Sequence, residues 1–576
     1  MSNTKLKPDQ LRSHRWFGVN DMRSFLHRQR VQQMGFERDE FIGKPVIGII
    51  NTWSELSTCH IHLRERADAV KRGVFQAGGF PAELPALSVS EPLVKPTTML
   101  YRNALALEVE ELIRSHPVDG VVLMGGCDKS TPGLIMGALS GDVPAIFFPA
   151  GAMTNGDFRG QKIGAGTHTR KFWDDKKAGL LDEEDWTELE TEMTRSIGTC
   201  NTMGTASTMT SIADAMGLCI PGGSSILAVQ SAHSRLARKS GTRIVDMVWE
   251  DLKISKIVTN ASIRNGIVAD MALGGSTNAA IHLIAMAGRN NIEITLKDFG
   301  KISKKVPALA NVLPSGEHLM EDFGKAGGLK ALLTRVSSEL DLNCMTVTGK
   351  TLGAELENAE IYDEDVIRPI ANPVTERGTL TALSGNLAPN GAVIKASAAS
   401  PELLTHTGPA VVFETVSDMY ARIHDPDLLV TKDSVLVLRN GGPQGGPGMP
   451  EWGNLPVPEK LLKEGVRDMV RVSDARMSGT HFGTCVLHVS PESFIGGPLA
   501  LVQDGDLITL NEPEGLIHME VSDEELRSRR NHWVAPKQRY KRGYISLYAE
   551  HVTQADKGCD FDFLEAGPAT PEPEIF

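Results

Sequence analysis

The chain has 576 residues, 41% hydrophobic and 23% charged, the balance of a globular protein too long for a single core. A formal net charge of −13 with no concentrated basic run argues against nucleic acid or an anionic membrane as a partner. The polar start MSNTKLKPDQLRSHRWFG lacks the apolar core of a signal peptide, and no stretch reaches the roughly 20 apolar residues of a membrane span, so a cytoplasmic protein is expected.

The first third alternates between two periodicities. KPVIGIINT (44–52) has the β-branched, apolar character of a buried strand. His62 to Gln76 follows with helical spacing, placing Leu63, Ala67, Val70 and Val74 on one face before Gly78-Gly79. A second strand is predicted from Ala82 to Val89, then a helix from about Thr98 to Ser115, stopped by Pro117. GVVLM (120–124) and VPAIFF (143–148) read as further strands, and between them Thr131 is placed to cap a helix with Pro132 at its first position. Strand and helix in alternation predict a parallel sheet with helices on its faces. Every strand-to-helix loop of such a sheet emerges at one edge, where open α/β sheets bind ligands. Cys59 follows the first strand, Glu91 the second and Cys127-Asp128-Lys129 the third. Cys200, in GTCNTMGTASTMTSIADAMG, sits just before another helix and is expected at the same edge.

Beyond about residue 370 the pattern changes. GTLTAL, GAVIKAS, PAVVFE, DSVLVL, DMVRVS and DLITLN are short strand candidates between glycine, proline and polar turns, and GDLITLNEPEGLIHMEV reads as a hairpin. The expected organisation is an α/β domain over 1–375 and a smaller β-rich, barrel-like domain over 376–576. The tail EAGPATPEPEIF is acidic and contains proline, and is expected to be loose.

The seven cysteines (59, 127, 200, 219, 344, 485 and 559) are odd in number, widely spread and contain no CxxC pair, which excludes a disulfide framework or a zinc ribbon. Cys219, Cys344 and Cys485 read as small buried hydrophobes. GGCDKSTPG (125–133) invites comparison with a phosphate loop, but Asp128 stands where that loop needs glycine; an acid between a thiol and a lysine points instead to a metal site. Cys59 precedes His60 and His62, so a Cys/His zinc site is an open alternative there. LRNGGPQGGPGMPEWGN (438–454) gathers six glycines and three prolines around one carboxylate, Glu451. SDARMSGTHFG (473–483) offers Ser478, with no histidine at the spacing of a nucleophile motif, so activation must come from elsewhere, such as a nearby metal.

GGCDKSTPG, GTCNTMGTASTM, GGSTNA (274–279), GGPQGGPGMPE and SDARMSG, in that order, resemble segments of the dehydratase superfamily that contains dihydroxyacid dehydratase, 6-phosphogluconate dehydratase and the aldonate dehydratases. The resemblance runs from about Leu11 to the CDFDF at 559–563. It implies that Cys59, Cys127 and Cys200 ligate an iron–sulfur cluster, [2Fe–2S] as in the aldonate branch, with [4Fe–4S] as the alternative. Three thiolates leave one iron position incomplete, as a Lewis-acid cluster requires. Glu91, Asp128 and Glu451 match magnesium ligands, Lys129 matches a lysine that is carbamylated, Ser478 matches the base, and Thr480 is expected to position Ser478 or the substrate. VSEPLVKPTTMLYRN, GAGTHTRKFWDD and GYISLYAEHVTQADKGCDFDF look closest to the L-arabinonate and D-xylonate type. Ala475 and Thr480 stand where the branched-chain enzyme more usually has glycine. The implied activity is a hydro-lyase converting a sugar acid to a 2-keto-3-deoxy acid, as a homodimer or homotetramer. Dihydroxyacid dehydratase, 6-phosphogluconate dehydratase and a non-catalytic iron–sulfur sensor are the alternatives.

Overall fold

The apolar runs of the first third assemble a four-stranded sheet in the computed structural model, which describes residues 5–177, 179–564, 566 and 570–575. Its strands are β1 (Val46–Asn51), β2 (Phe80–Pro85), β3 (Gly120–Gly125) and β4 (Ala145–Pro149), all parallel, in the order β2-β1-β3-β4. The chain winds outward from β1 to β2 in one direction and from β3 to β4 in the other. Right-handed crossovers therefore put the intervening helices on opposite faces, with a switch point between β1 and β3. Helix Leu63–Gln76 packs on helix Ser231–Trp249. Their approach requires glycine: a Cβ on Gly73 would fall 2.0 Å from the Arg238 carbonyl oxygen, and one on Gly241 would fall 2.1 Å from that of Val70.

A two-stranded hairpin, β5 (Gly156–Phe158) and β6 (Gln161–Ile163), leads into the remaining helices of this lobe. The second lobe is an eight-stranded sheet of β7 (Leu380–Leu383), β8 (Gly391–Lys395), β9 (Thr405–Phe413), β10 (Val435–Leu438), β11 (Arg471–Ser473), β12 (Cys485–Ser490), β13 (Leu507–Asn511) and β14 (Leu516–Met519). The order is β14-β13-β9-β10-β11-β12-β8-β7, and a bridge between Ser384 and Leu516 brings the two edges together, giving the expected barrel-like form. β13 and β14 form the expected hairpin. Val393, Met477, Cys485 and Leu487 of this lobe join the apolar core of the first, so the lobes share packing.

Four local expectations are corrected. The second strand spans 80–85 rather than 82–89, because Pro85 and the loop after it carry the chain away to Glu91. The helix after GGCDK begins at Ser130 behind Lys129, so Thr131 lies inside the first turn and does not cap it. β12 was unforeseen, and β9 to β12 pair in parallel, joined partly through short helices Val416–Arg422 and Glu459–Lys463. The tail is tied down where described: Glu572 pairs with Arg12 at 2.8 Å and with Arg15 at 3.0 Å.

The segment before that tail is anchored more firmly. Arg102 donates to the carbonyls of Gly558 and Cys559 at 2.9 and 2.8 Å, and Arg289 grips Asp560 through two bonds of 2.5 and 2.9 Å. Both side chains of the Arg289–Asp560 pair are nearly inaccessible. Removing one partner of such a pair leaves a buried, uncompensated charge. Asp560→Asn is expected to cost about 3 kcal/mol, read as a lower urea midpoint. Among the described residues no helix is long and apolar enough to cross a membrane.

Candidate active site

The carboxyl edge of the first sheet faces the second lobe across a cavity of about 340 Å³. Cys59, Cys127, Cys200, Glu91, Asp128, Glu451, Ser478 and Thr480 all line it. The switch point explains the first pair: β1 and β3 are neighbours, so the loops carrying Cys59 and Cys127 start side by side. Cys200 joins them because Thr199 bridges Ala152, just beyond β4.

All seven cysteines are free thiols. A hydrogen bond with the Cys127 thiol pulls Cys59 down, while the same bond and burial push Cys127 up. Burial also raises Cys200. Three thiolates cannot coexist in this setting without a cation. Tetrahedral zinc would hold its sulfurs about 3.8 Å apart, from bonds of about 2.3 Å. Among the described residues, the one trio of possible ligands whose atoms lie within 4.8 Å of one another is Glu317, His318 and Asp365, away from the cleft. The three cysteine sulfurs do not all come within that distance of one another.

The zinc alternative at Cys59 loses His60, although His62 Nδ1 has no hydrogen-bond partner among the described residues. The Cys127 backbone N–H donates to His60 Nε2 at 2.9 Å, while His60 Nδ1 donates to the Thr52 carbonyl at 3.1 Å. Both ring nitrogens are engaged, so His60 orients the Cys127 loop instead of ligating metal. His62 Nε2 donates to the Ala150 carbonyl at 2.7 Å and His233 Nε2 to that of Pro149 at 2.9 Å, holding the end of β4. Burial drives His62 down to about 4 and His233 to about 3. Their folded values lie below the unfolded value near 6.5, so the stability they confer is present above pH 6.5 and lost as pH falls toward 4. Protonating His62 in place costs about 3 kcal/mol. The urea midpoint is expected to fall steadily between pH 6.5 and 4.5, and the double variant His62→Gln/His233→Gln to flatten that fall.

Behind the sulfurs, three carboxylates surround one ammonium. Lys129, fully buried, lies 3.0 Å from Asp128, 3.3 Å from Glu91 and 3.6 Å from Glu451. Burial opposes ionisation of Glu91, but Lys129, Arg476, Thr97 and Thr98 outweigh it and hold the carboxyl at about 2. Thr97 Oγ1 donates to Glu91 Oε1 at 2.8 Å, and the Thr98 hydroxyl and N–H both bond Oε2. Glu451 is raised by burial despite Lys129. Hard oxygens are the donors magnesium prefers; here the three carboxylates face the Lys129 ammonium and do not all come within 4.8 Å of one another.

Glu451 reaches the centre because its glycine loop lies flat against the first lobe. Gly448 has φ +86°, and a Cβ there would sit 2.6 Å from the Leu100 nitrogen. Two buried acids that the sequence reading missed hold the loop: Asp474 accepts from the Gly441 N–H at 2.9 Å, and Glu492 from those of Gln444 and Gly445 at 2.9 Å. A third omission is Arg476, fully buried, which donates to Met449 O, Asn278 Oδ1, Thr97 Oγ1 and, at 3.3 Å, Glu451. Its only sequence signal was a guanidinium inside an otherwise buried segment.

Ser478 faces this centre on a tight turn. Its Oγ lies 3.0 Å from Thr480 Oγ1. The turn is gripped from outside: Asn278 Nδ2 donates to the Met477 carbonyl at 3.0 Å and Thr167 Oγ1 to that of Thr480 at 2.9 Å. A Cβ on Gly479 would meet the Thr205 nitrogen at 2.6 Å, so only glycine allows this contact between lobes. Lys95 also lines the cavity and makes no ion pair among the described residues.

Comparison with known proteins finds matches along almost the whole chain. Residues 44–355 match the model described as dihydroxy-acid/6-phosphogluconate dehydratase N-terminal, and 365–559 its C-terminal counterpart. A Pseudomonas putida protein named 6-deoxy-6-sulfo-D-gluconate dehydratase is 58% identical over 578 residues, covering 100% of both chains. L-arabinonate dehydratase of Rhizobium leguminosarum bv. trifolii is 48% identical, covering 97% of each. A dihydroxy-acid dehydratase of Acetivibrio thermocellus is 37% identical over 92% of this chain and 96% of its own. Spanned by both halves of the family model and by full-length relatives, this chain belongs to the dihydroxy-acid/6-phosphogluconate dehydratase family and is a hydro-lyase.

Proposed function

We propose that this enzyme removes water across C2 and C3 of an aldonate, giving the 2-keto-3-deoxy acid, in the cavity between its lobes. The observation that carries the reading is the meeting of three thiols, three carboxylates around Lys129, and Ser478 at one 340 Å³ cavity. In this reading residues 1–375 supply Cys59, Cys127, Cys200, Glu91, Asp128 and Lys129, and residues 376–576 supply Glu451, Ser478 and Thr480. The cysteines would hold a [2Fe–2S] cluster, with [4Fe–4S] as the alternative, and the carboxylates Mg²⁺. Carbamylation of Lys129 would turn the central positive charge into an oxygen ligand, leaving the carboxylates a divalent cation to share.

When bound, the cluster would act as Lewis acid toward the departing C3 hydroxyl, and magnesium would acidify the C2 proton through the substrate's carboxylate and C2 oxygen. Ser478 Oγ, as alkoxide, takes the C2 proton while the C3–O bond breaks. That proton leaves with the hydroxyl as water, and the enol so formed tautomerises to the ketone. Thr480 Oγ1, 3.0 Å away, fixes the serine's direction.

Support for a sugar acid comes from Ala475 and Thr480 and from relatives named for L-arabinonate and 6-deoxy-6-sulfo-D-gluconate. L-arabinonate and D-xylonate are therefore joined as candidates by a six-carbon acid with an anionic C6 group, for which the unpaired Lys95 at the cavity wall is suited. The exposed face of Met22, Phe25 and Leu26 fits assembly as a homodimer or homotetramer.

Cluster-loaded protein with Mg²⁺, offered L-arabinonate, D-xylonate, 6-deoxy-6-sulfo-D-gluconate and 2,3-dihydroxyisovalerate, tests the reading by keto-acid formation. An aldonate is expected to exceed 2,3-dihydroxyisovalerate in kcat/KM by at least about tenfold. The reverse order would make the chain a branched-chain enzyme. Full cluster absorbance with no turnover on any of the four would favour a sensor.

A further inference from the structure

Beneath the Ser478 turn lie two charged groups that the proposed chemistry does not use. Lys395, at the end of β8, and Asp270, on helix Asn260–Leu273, are each 1% exposed. Lys395 Nζ reaches the Gly479 carbonyl oxygen at 3.5 Å, directly between Ser478 and Thr480. Neither carboxylate oxygen of Asp270 has a hydrogen-bond partner. The two side chains come from different lobes and are each other's principal countercharge. They form no direct ion pair, so each charge keeps most of its desolvation cost, which folding alone does not reward.

We propose that Lys395 is a positioning residue for Ser478: its ammonium holds the Gly479 carbonyl and puts positive charge under the turn that carries the seryl oxygen. Three donors from three elements then hold three carbonyls of that turn, Asn278 on Met477, Lys395 on Gly479 and Thr167 on Thr480. Of the three, only Lys395 carries charge. A seryl alkoxide forming above it is stabilised, and the carbonyls that flank the seryl oxygen are held in place. Burial lowers Lys395 to about 8 and raises Asp270 to about 8, so near pH 7 both groups mostly hold their protons and the pair carries net positive charge.

The inference rests on Ser478 being the base, so Ser478→Ala is measured alongside. Lys395→Met alone leaves Asp270 buried with no cation near it, whereas Lys395→Met/Asp270→Asn removes both ionisable groups. In cluster-loaded protein the double variant is expected to keep the urea midpoint and visible absorbance of the parent, with KM within about threefold. Its kcat should nevertheless fall about 100-fold, the cost of a misplaced reacting group. Lys395→Arg, which keeps the charge but moves the donor, should lose about tenfold in kcat at unchanged KM. A folded double variant with parental kcat, or a loss confined to KM, overturns the proposal. If the double variant does not fold, parental kcat in Lys395→Arg overturns it alone. Activity surviving in Ser478→Ala would instead defeat the assignment of the base.

Discussion

Ser478→Ala is expected to abolish turnover while leaving the protein intact. The hydroxyl is half-buried and, among the described residues, bonds only Thr480, through its Oγ1 at 3.0 Å and its N–H at 3.4 Å, so its loss opens no core and strands no buried charge. Removing a positioned general base typically costs 10²- to 10⁴-fold, and about 10³-fold in kcat is expected here. KM should stay within a few-fold, because the carboxylates and Lys129 remain. Cluster absorbance should match the parent, since Ser478 Oγ makes its hydrogen bonds to Thr480 and not to the three cysteines. A thousandfold loss accompanied by loss of absorbance would assign the serine to assembly of the site.

Arg476→Met should be worse, because it fails in folding and chemistry together. The guanidinium is fully buried and serves four partners: the Met449 carbonyl, Asn278, Thr97 and Glu451. Thr97 in turn holds Glu91, and Asn278 holds the Met477 carbonyl of the serine turn. Methionine fills the volume but leaves those acceptors unpaired and the acid cluster with Lys129 as its remaining central cation. Loss of one partner from a buried charged network costs about 3–5 kcal/mol. Chemical denaturation should therefore show a much lower midpoint, and protein recovered in folded form should have kcat at least about 100-fold down. Arg476→Lys is not expected to rescue it, because one ammonium cannot reproduce the fork of donors that spans both lobes.

These two residues differ in how far the sequence exposed them. Ser478 stood between a predicted strand and a glycine, and its role as base came from the family resemblance of SDARMSG. Arg476, two residues earlier, looked like an ordinary charge, and nothing in its spacing gave the inward direction of its side chain. The same holds for Lys395: an ammonium at the end of GAVIK is unremarkable until the barrel closes and turns it beneath Gly479. Alternation of strand and helix was enough to bring Cys59, Glu91 and Cys127 to one edge, because the handedness of crossovers leaves little freedom. It did not reveal that β1 and β3 are neighbours, which is what sets two of the cysteines side by side. β12 escaped notice because its register shifts between Leu487 and Ser490, and His488 has φ +57°. Its sequence therefore lacks clean alternation. The parallel pairing inside the second lobe was hidden by crossover helices of only seven and five residues. The docked tail depends on Arg12 and Arg15, more than 550 residues away, a distance no local pattern spans.

The central claim is that Ser478 removes the C2 proton of an aldonate inside the cavity shared by the two lobes. The most direct measurement follows turnover of an aldonate carrying deuterium at C2 in cluster-loaded protein. The account predicts a primary isotope effect on kcat/KM, a 2-keto-3-deoxy product with no deuterium at C3, and neither turnover nor C2 exchange in Ser478→Ala. A product that retains the deuterium at C3, or an isotope effect that persists undiminished in Ser478→Ala, would contradict it.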